Sequence, residues 1–290
     1  MTARPRTAVV TITAGRDAHL RRQREALAEE EADLHVVVGM AGPPDLRGAP
    51  GSSPVVSAHV VAGDRGLPLA AARNAGARVA LEHDIELLVF LDVDCILGPG
   101  SLARYQAAAR RVPPHTVLCG PVAYLPPPPP RGYPAAGELA RLAEPHPGRP
   151  APPPGEITLE DDRFELFWSL SFATSREDWR RFGGFCEEFA GYGAEDTDFA
   201  LRAAGRGARL AWVGGATAFH QYHPPSRHEP RHVRELVTNA HLFHRRHGCW
   251  PMTGWLIELD RAGVVRFDPG QDVLRLLPGF EHRLALHNFT

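Results

Sequence analysis

Short apolar runs alternate with amphipathic or Ala-rich stretches through the first 125 residues of the chain. The runs at 7–13, 34–40 and 86–94 are rich in Val, Ile, Leu and Thr, which is typical of buried strands. The stretches at 17–32 and 67–83 have the length and residue spacing of helices. Strands that alternate with helices predict an α/β fold in which a mostly parallel central sheet is flanked by helices.

The composition of the 290-residue chain is that of a globular protein, with 43% hydrophobic and 23% charged residues. The 32 basic residues against 34 acidic ones give a net charge of −2, which argues against a general nucleic-acid binder. Every basic residue is arginine, so chemistry that needs a lysine, such as a Schiff base or a P-loop lysine, is excluded.

The four cysteines lie far apart and form no CxxC pair, which fits a reducing compartment. The N-terminus has no signal-peptide pattern, and no apolar run approaches the roughly 20 residues that span a bilayer. We therefore expect a cytoplasmic protein without a transmembrane segment. The His- and Arg-rich stretch 241–256 leaves three alternatives open, namely packing on the core, a dimer contact and peripheral attachment to a membrane.

Two proline-rich runs, at 126–130 and 151–155, interrupt the α/β pattern. We interpret residues 126–155 as an insert that forms a linker or a flap, with a partner-docking segment as the alternative. The predicted organisation is a main domain over 1–225 and a helical C-terminal extension over 226–290 that packs on the core.

Asp92 and Asp94 form a D-x-D motif where an apolar strand is predicted to end. Ligands bind at the carboxyl ends of strands in open α/β sheets. Two carboxylates at this position repel one another unless a cation lies nearby, and a hard divalent metal that bridges a diphosphate would supply that charge. The alternative is a solvated turn at the end of the strand.

A second motif places Glu195, Asp196 and Asp198 in the first turn of a helix predicted over 195–205. Acids at a helix N-terminus complement the macrodipole, which accounts for one or two of the three. The preceding Gly-Tyr-Gly, at 191–193, would let backbone and an aromatic ring approach a ligand.

A third motif, H-x-x-H, consists of His220 and His223. Two such histidines can reach one site, but the chain has fifteen histidines, so the pair is weak evidence alone. Because no companion Glu accompanies the pair, it is not the zinc-protease motif.

The order and spacing of DVD, GGFCEEFAGYGAEDTD and AFHQYH resemble the glycosyltransferases of the GT-A fold. The similarity covers about residues 7 to 225 and is closest to family 2 enzymes and to the galactosyltransferase module of the β-1,4-galactosyltransferases. The resemblance implies a GT-A (Rossmann-like) domain that moves a hexosyl group from a nucleotide diphosphate sugar, with UDP favoured, to an acceptor hydroxyl. It also implies a divalent cofactor, Mn²⁺ or Mg²⁺.

The resemblance implies roles for particular residues. The implied metal ligands are Asp94, His223 and His220. The implied catalytic residues are Asp196, as the base of an inverting reaction, and its neighbour Glu195. The implied donor-binding residues are Thr13, Arg16, Arg73, Asn74 and Asp92, and the implied acceptor-binding residues are Tyr192, Gly193 and Glu195.

The chain departs from the family pattern at two places. After the second predicted strand there is no acid until Asp45, which puts the selection of uracil in doubt, and SLSFAT at 169–174 replaces the usual acceptor segment. A retaining transferase and a non-catalytic nucleotide-sugar-binding protein therefore stay open, and a nucleotidyltransferase is disfavoured because the chain has no lysine. The expected acceptor is a glycan, a lipid-linked sugar, a peptide or a small molecule, and the oligomeric state is left open.

Overall fold

The computed structural model describes residues 4–47, 53–224 and 229–286. The strands are β1 Thr7–Thr13, β2 Leu34–Gly39, β3 Val55–His59, β4 Leu87–Leu91, β5 Cys95–Leu97, β6 Thr116–Cys119, β7 Val122–Tyr124, β8 Ile157–Glu160, β9 Ser171–Ser175, β10 Arg209–Val213, β11 Ala218–His220, β12 Val265–Asp268 and β13 Val273–Leu276. The α-helices are α1 Asp17–Leu27, α2 Leu69–Glu82, α3 Ser101–Ala109, α4 Arg176–Phe182, α5 Glu195–Ala204, α6 Pro230–His247, α7 Thr253–Arg261 and α8 Phe280–Leu286. Two 3₁₀ helices cover Ala136–Arg141 and Phe164–Leu166.

The main sheet has eight strands in the order β3-β2-β1-β4-β9-β6-β10-β8. Six of them run in one direction, whereas β9 and β8 run antiparallel to their neighbours. A second, three-stranded sheet has the order β5-β11-β7. The predicted α/β class with a mostly parallel central sheet is therefore confirmed.

Burial on both faces explains the residue content of the central strands. Every residue of β1, β2 and β4 is buried, so these strands contain few polar side chains. The small residues of α2 let this helix lie close to the sheet. A Cβ added to Gly76 would lie 2.4 Å from Cγ1 of Val10, so a larger residue would push α2 off β1.

Several element boundaries differ from those predicted. Helix α1 ends at Leu27 rather than near residue 32, and strand β4 ends at Leu91 rather than near residue 94. Such boundaries depend on tertiary packing, which a residue pattern does not contain.

The proline-rich insert is packed against the three-stranded sheet. Leu139 of the insert is fully buried in a cluster with Ile96 and Phe219. The Arg22 guanidinium of α1 donates to the backbone oxygen of Tyr133 over 2.8 Å. These contacts join the insert to the main domain.

The C-terminal extension has its own small core, which includes Val233, Leu256 and Phe267. It contains α6, α7 and α8 but also the β12–β13 hairpin, so the prediction of a helical extension was incomplete. The predicted domain boundary at 225/226 lies outside the described residues. None of the helices in the described part of the chain has the length and apolar character needed to cross a bilayer.

Candidate active site

Arg73 joins the D-x-D motif to the first turn of α5. Its guanidinium donates to Asp92 Oδ1 over 3.0 Å and to Glu195 Oε1 over 3.2 Å. The arginine side chain is only 4% exposed, so its positive charge is buried. Because the two carboxylates share one buried cation, the first two motifs meet at the carboxyl edge of the main sheet.

Asp94, His220 and His223 form a cluster in which one ligand atom of each lies within 4.8 Å of the others. Asp94 Oδ2 lies 3.4 Å from His223 Nε2 and 3.6 Å from His220 Nε2. The strand register explains the meeting, since His220 of β11 pairs with Cys95 of β5, directly after Asp94. One carboxylate and two imidazoles are a donor set that suits manganese or a similar divalent ion.

The charges of this cluster favour an ionised Asp94. Burial alone would raise its pKa, but His223, His220 and Arg16 outweigh burial and lower the pKa to about 2. Burial lowers the pKa of His220, which favours the neutral imidazole that a metal requires.

Arg16 and Thr13 are two of the predicted donor-binding residues. Arg16 contacts this cluster, and Thr13 is the last residue of β1. The Arg16 guanidinium forms an ion pair with Asp94. The Thr13 hydroxyl is buried and has no hydrogen-bond partner among the described residues. A buried hydroxyl without a partner is uncommon in folded proteins and is the kind of group that a bound ligand satisfies.

The predicted donor contact of Asn74 is already taken up by protein groups. The Asn74 amide nitrogen donates to the Phe185 oxygen over 2.9 Å and to Glu187 over 2.8 Å, and its oxygen accepts from the Phe185 N–H over 2.8 Å. Through these bonds Asn74 holds the segment between α4 and α5, and its role in donor binding stays a prediction.

Glu195 and Asp196 start α5 side by side. Burial and the neighbouring Asp196 together raise the pKa of Glu195 to about 7, although Arg73 lowers it. Burial also raises the pKa of Asp196, although the Thr197 N–H donates to Asp196 over 2.8 Å. A carboxylate whose pKa lies above its ordinary value is better matched to accept a proton from a hydroxyl.

Tyr192 lies against the C-terminal extension. Its ring stacks on Trp255 of α7 with 5.8 Å between centroids and is 5.7 Å from the ring of His232. Its backbone N–H donates to Glu235 of α6. These α6 and α7 residues were not predicted, because isolated polar and aromatic residues on an amphipathic helix match no motif.

Arg149 of the insert was also not predicted. It is 5% exposed and lies between the rings of Trp168 and Trp212, at 5.0 and 4.8 Å from their centroids. Its three guanidinium nitrogens have no hydrogen-bond partner in the described part of the chain. A buried cation held by aromatic faces alone is costly, and no residue pattern around position 149 indicated it.

A family model described as the N-terminal domain of galactosyltransferase matches residues 160–224, which include the second and third motifs. The validoxylamine A glucosyltransferase of Streptomyces hygroscopicus subsp. limoneus is 29% identical over 278 residues, covering 84% of this chain and 57% of the relative. The protein of the same name from subsp. jinggangensis (strain 5008) is also 29% identical, with 61% of its length covered. The chain thus spans little more than half the length of the curated relatives it matches.

Two solved structures share the fold. GalNAc-T7, crystallised with UDP, GalNAc and Mn²⁺, has a TM-score of 0.52 at 14% identity, covering 89% of this chain and 57% of that chain. Residues 1–349 of S. aureus TarS have a TM-score of 0.51 at 14% identity, covering 81% of this chain and 64% of that chain.

The fold is that of the GT-A glycosyltransferases, as the sequence predicted. The expected similarity to galactosyltransferases is confirmed for residues 160–224. Together with the curated relatives, these matches support a glycosyltransferase.

Proposed function

We propose that the chain is a metal-dependent glycosyltransferase that moves a sugar from a nucleotide diphosphate sugar to an acceptor hydroxyl, with inversion at the anomeric carbon. The observation that carries the proposal is the convergence of the three sequence motifs at one edge of the sheet, through Arg73 and through the cluster of Asp94 with His220 and His223.

The donor side of the proposed site is the Asp94 cluster and the residues around it. Asp94, His220 and His223 would hold Mn²⁺ or Mg²⁺, which when bound supplies positive charge to the departing diphosphate. Arg16 and the unpartnered Thr13 hydroxyl are placed to contact the nucleotide. Asp92 accepts a hydrogen bond from Arg73, which fixes its position, and it would contact the bound donor from there.

The acceptor side begins at the N-terminus of α5. Asp196 would take the proton of the acceptor hydroxyl as that oxygen attacks the sugar carbon, which is general-base catalysis. Glu195 would bind the acceptor beside it, with Tyr192 and Gly193 forming the adjacent wall. The raised pKa of Asp196 supports this assignment.

The name of the curated relatives suggests the first substrates to test. Since those relatives are validoxylamine A glucosyltransferases, we propose a glucosyl donor and a polyhydroxylated small molecule as acceptor. The nucleotide base is tested separately, because the sequence has no acid between β2 and Asp45.

The experiment measures nucleotide release from UDP-, GDP- and dTDP-glucose with validoxylamine A, in Mn²⁺ and in EDTA. We expect release to depend on Mn²⁺. Asp94→Asn should abolish the metal-dependent part of nucleotide binding, whereas Asp196→Asn should keep binding and lower turnover by roughly 10²–10⁴-fold. Asp17→Asn, on the exposed side of α1, is the control.

Four results would contradict parts of the proposal. Release that EDTA does not affect would remove the metal. Full turnover in Asp196→Asn would remove the base. A product that keeps the anomeric configuration of the donor would assign the retaining alternative, and nucleotide binding without any turnover would assign the binding-protein alternative.

A further inference from the structure

Side chains of helix α6 form hydrogen bonds with the backbone of the loop at residues 190–193, here called the acceptor loop. Glu235 of α6 is 8% exposed, and its Oε2 accepts a hydrogen bond from the Tyr192 N–H over 3.0 Å. Its Oε1 accepts from Nε of Arg231, one turn earlier on the helix, over 2.8 Å. A buried carboxylate thus has one oxygen on the loop and the other on a cation that balances its charge.

The glycines on both sides of Glu235 make this approach possible. A Cβ at Gly191 would lie 2.4 Å from Cδ of Glu235, and a Cβ at Gly66 would lie 2.6 Å from its Oε1. Gly191 also has a φ of +74°, a conformation that L-residues rarely adopt. Gly191 was predicted to let the backbone come close to a ligand. In the structure its lack of a side chain is needed for the close contact with Glu235.

Asn239, one turn after Glu235, holds the same loop at two other atoms. It is 2% exposed, and its amide nitrogen donates to the oxygens of Ala190 and Tyr192 over 3.1 and 3.2 Å. Residues four apart on a helix share a face, so Glu235 and Asn239 act on the loop from one side. Together they bind an N–H and two carbonyl oxygens of a segment that otherwise has no regular secondary structure.

We propose that Glu235 and Asn239 are positioning residues that keep the acceptor loop in the conformation that receives the acceptor. The proposal rests on the proposed function, since it assigns the loop to the acceptor. The loop leads through Ala194 into Glu195 and Asp196, so its geometry also sets the entry of α5. If the loop is already ordered, binding of the acceptor does not include the entropic cost of ordering it. Loss of this order should therefore weaken acceptor affinity.

The first measurement is amide hydrogen exchange in peptides that cover residues 190–194, with the protein otherwise intact. Glu235→Ala should increase exchange of these peptides at least tenfold, because the Tyr192 N–H loses its acceptor. Glu235→Gln keeps one acceptor oxygen and should lie between wild type and Glu235→Ala. Asn239→Asp, which replaces two donors by acceptors, should behave like Glu235→Ala. Thr238→Ala, an exposed change on the same helix, is the control.

The second measurement is steady-state transfer to validoxylamine A from UDP-glucose. We expect Glu235→Gln and Asn239→Asp to raise the acceptor KM about tenfold or more, and the donor KM less than threefold. A substitution that only destabilises the fold would lower the fraction of active enzyme, and hence the apparent kcat. It would leave both KM values unchanged.

Two outcomes would overturn the proposal. One is exchange of residues 190–194 that matches wild type in Glu235→Ala. The other is faster exchange with an unchanged acceptor KM, which would make the contacts structural only. Failure of the proposed function is seen separately, in the wild-type protein, as an absence of metal-dependent turnover of any donor.

Discussion

Arg73 and Glu195 form a buried ion pair, with 3.2 Å between Nη1 of the arginine and Oε1 of the glutamate. The arginine also binds Asp92, so one cation serves two carboxylates that lie far apart in the sequence. Asp196 lies beside Glu195 and adds a third negative charge. One guanidinium does not offset both burial and a neighbouring acid, and the pKa of Glu195 is raised to about 7 as a result.

Glu195 should make the stability of the protein depend on pH between about 4.5 and 7. Its pKa in the folded state lies above the ordinary value of 4.5, so the folded state binds more protons in this range. The contribution of Glu195 to the free energy of unfolding should therefore fall as pH rises through the window, by about 3 kcal/mol in total at about 1.4 kcal/mol per pKa unit. Glu195→Gln should flatten this part of the curve, measured by urea unfolding at pH 5, 6, 7 and 8.

The control for Glu195 is Glu25→Gln, an exposed change on α1. It should leave the pH dependence as in wild type. An equal slope in Glu195→Gln and wild type would show that Glu195 ionises in the folded state at its ordinary pKa.

His35 should act in the opposite direction at lower pH. It is buried in β2, and burial, with a smaller effect of Arg24, lowers its pKa from 6.5 to about 3. The unfolded state binds the proton first, so the contribution of His35 to stability should fall as pH decreases below about 6.5, by roughly 2 kcal/mol at pH 5. His35→Gln should remove this loss in urea unfolding at pH 5 and 7, whereas His59→Gln, an exposed change on β3, should retain it.

The α/β class with a mostly parallel sheet and the position of the D-x-D motif at the end of a strand could be predicted because their signals are local. The strands β1, β2 and β4 are continuous apolar runs, and the D-x-D motif follows one of them directly. The meeting of Asp94 with His220 was predicted through the family resemblance alone. Its structural cause is the pairing of β5 with β11, two strands of three residues that are too short to give a hydrophobic pattern.

The contacts that the sequence did not predict are those made by single polar residues at long range. Glu235 and Asn239 lie on an amphipathic helix, where isolated polar residues usually face solvent. Asn74 was assigned to the donor through the family resemblance, and the sequence did not predict its hydrogen bond to the Phe185 oxygen. Which partner a buried polar group finds depends on tertiary packing, and one sequence does not contain that information.

Arg16 should compete with a divalent cation for Asp94. Its guanidinium is ion-paired with the same oxygen, Oδ2, that faces His220 and His223. A metal that binds this oxygen must displace the arginine, so Arg16→Gln should tighten binding of Mn²⁺ alone. We expect up to about a fivefold change, which corresponds to the roughly 1 kcal/mol of a partly exposed ion pair.

Calorimetric titration of the nucleotide-free protein with MnCl₂ measures this competition. Arg21→Gln, an exposed arginine on the same helix, is the matched control and should bind Mn²⁺ as wild type does. Weaker Mn²⁺ binding in Arg16→Gln would show that the arginine supports the metal site instead of competing with it.

Asp198 should be the residue of α5 that ties the C-terminal extension to the main domain. Its side chain is fully buried, and it accepts from Arg202 over 2.8 Å and from Arg246 over 2.9 Å, with His247 also at 2.9 Å. Burial would raise its pKa, but these partners outweigh burial and lower it. Asp198→Asn removes the buried carboxylate that Arg202 and Arg246 share, and the loss of its charge-assisted hydrogen bonds should destabilise the fold by about 1.5–3 kcal/mol at pH 7.

Urea unfolding at pH 7 measures the effect of Asp198→Asn, with Asp161→Asn as the control, because Asp161 is exposed and paired only at the surface with Arg209. The control should lose less than about 1 kcal/mol. Because the pKa of Asp198 is lowered in the folded state, its contribution is present above its ordinary pKa near 3.8 and is lost as pH falls below it. A loss under about 1 kcal/mol in Asp198→Asn would mean that α6 is held by its apolar contacts and that the third acid of the motif is dispensable for the fold.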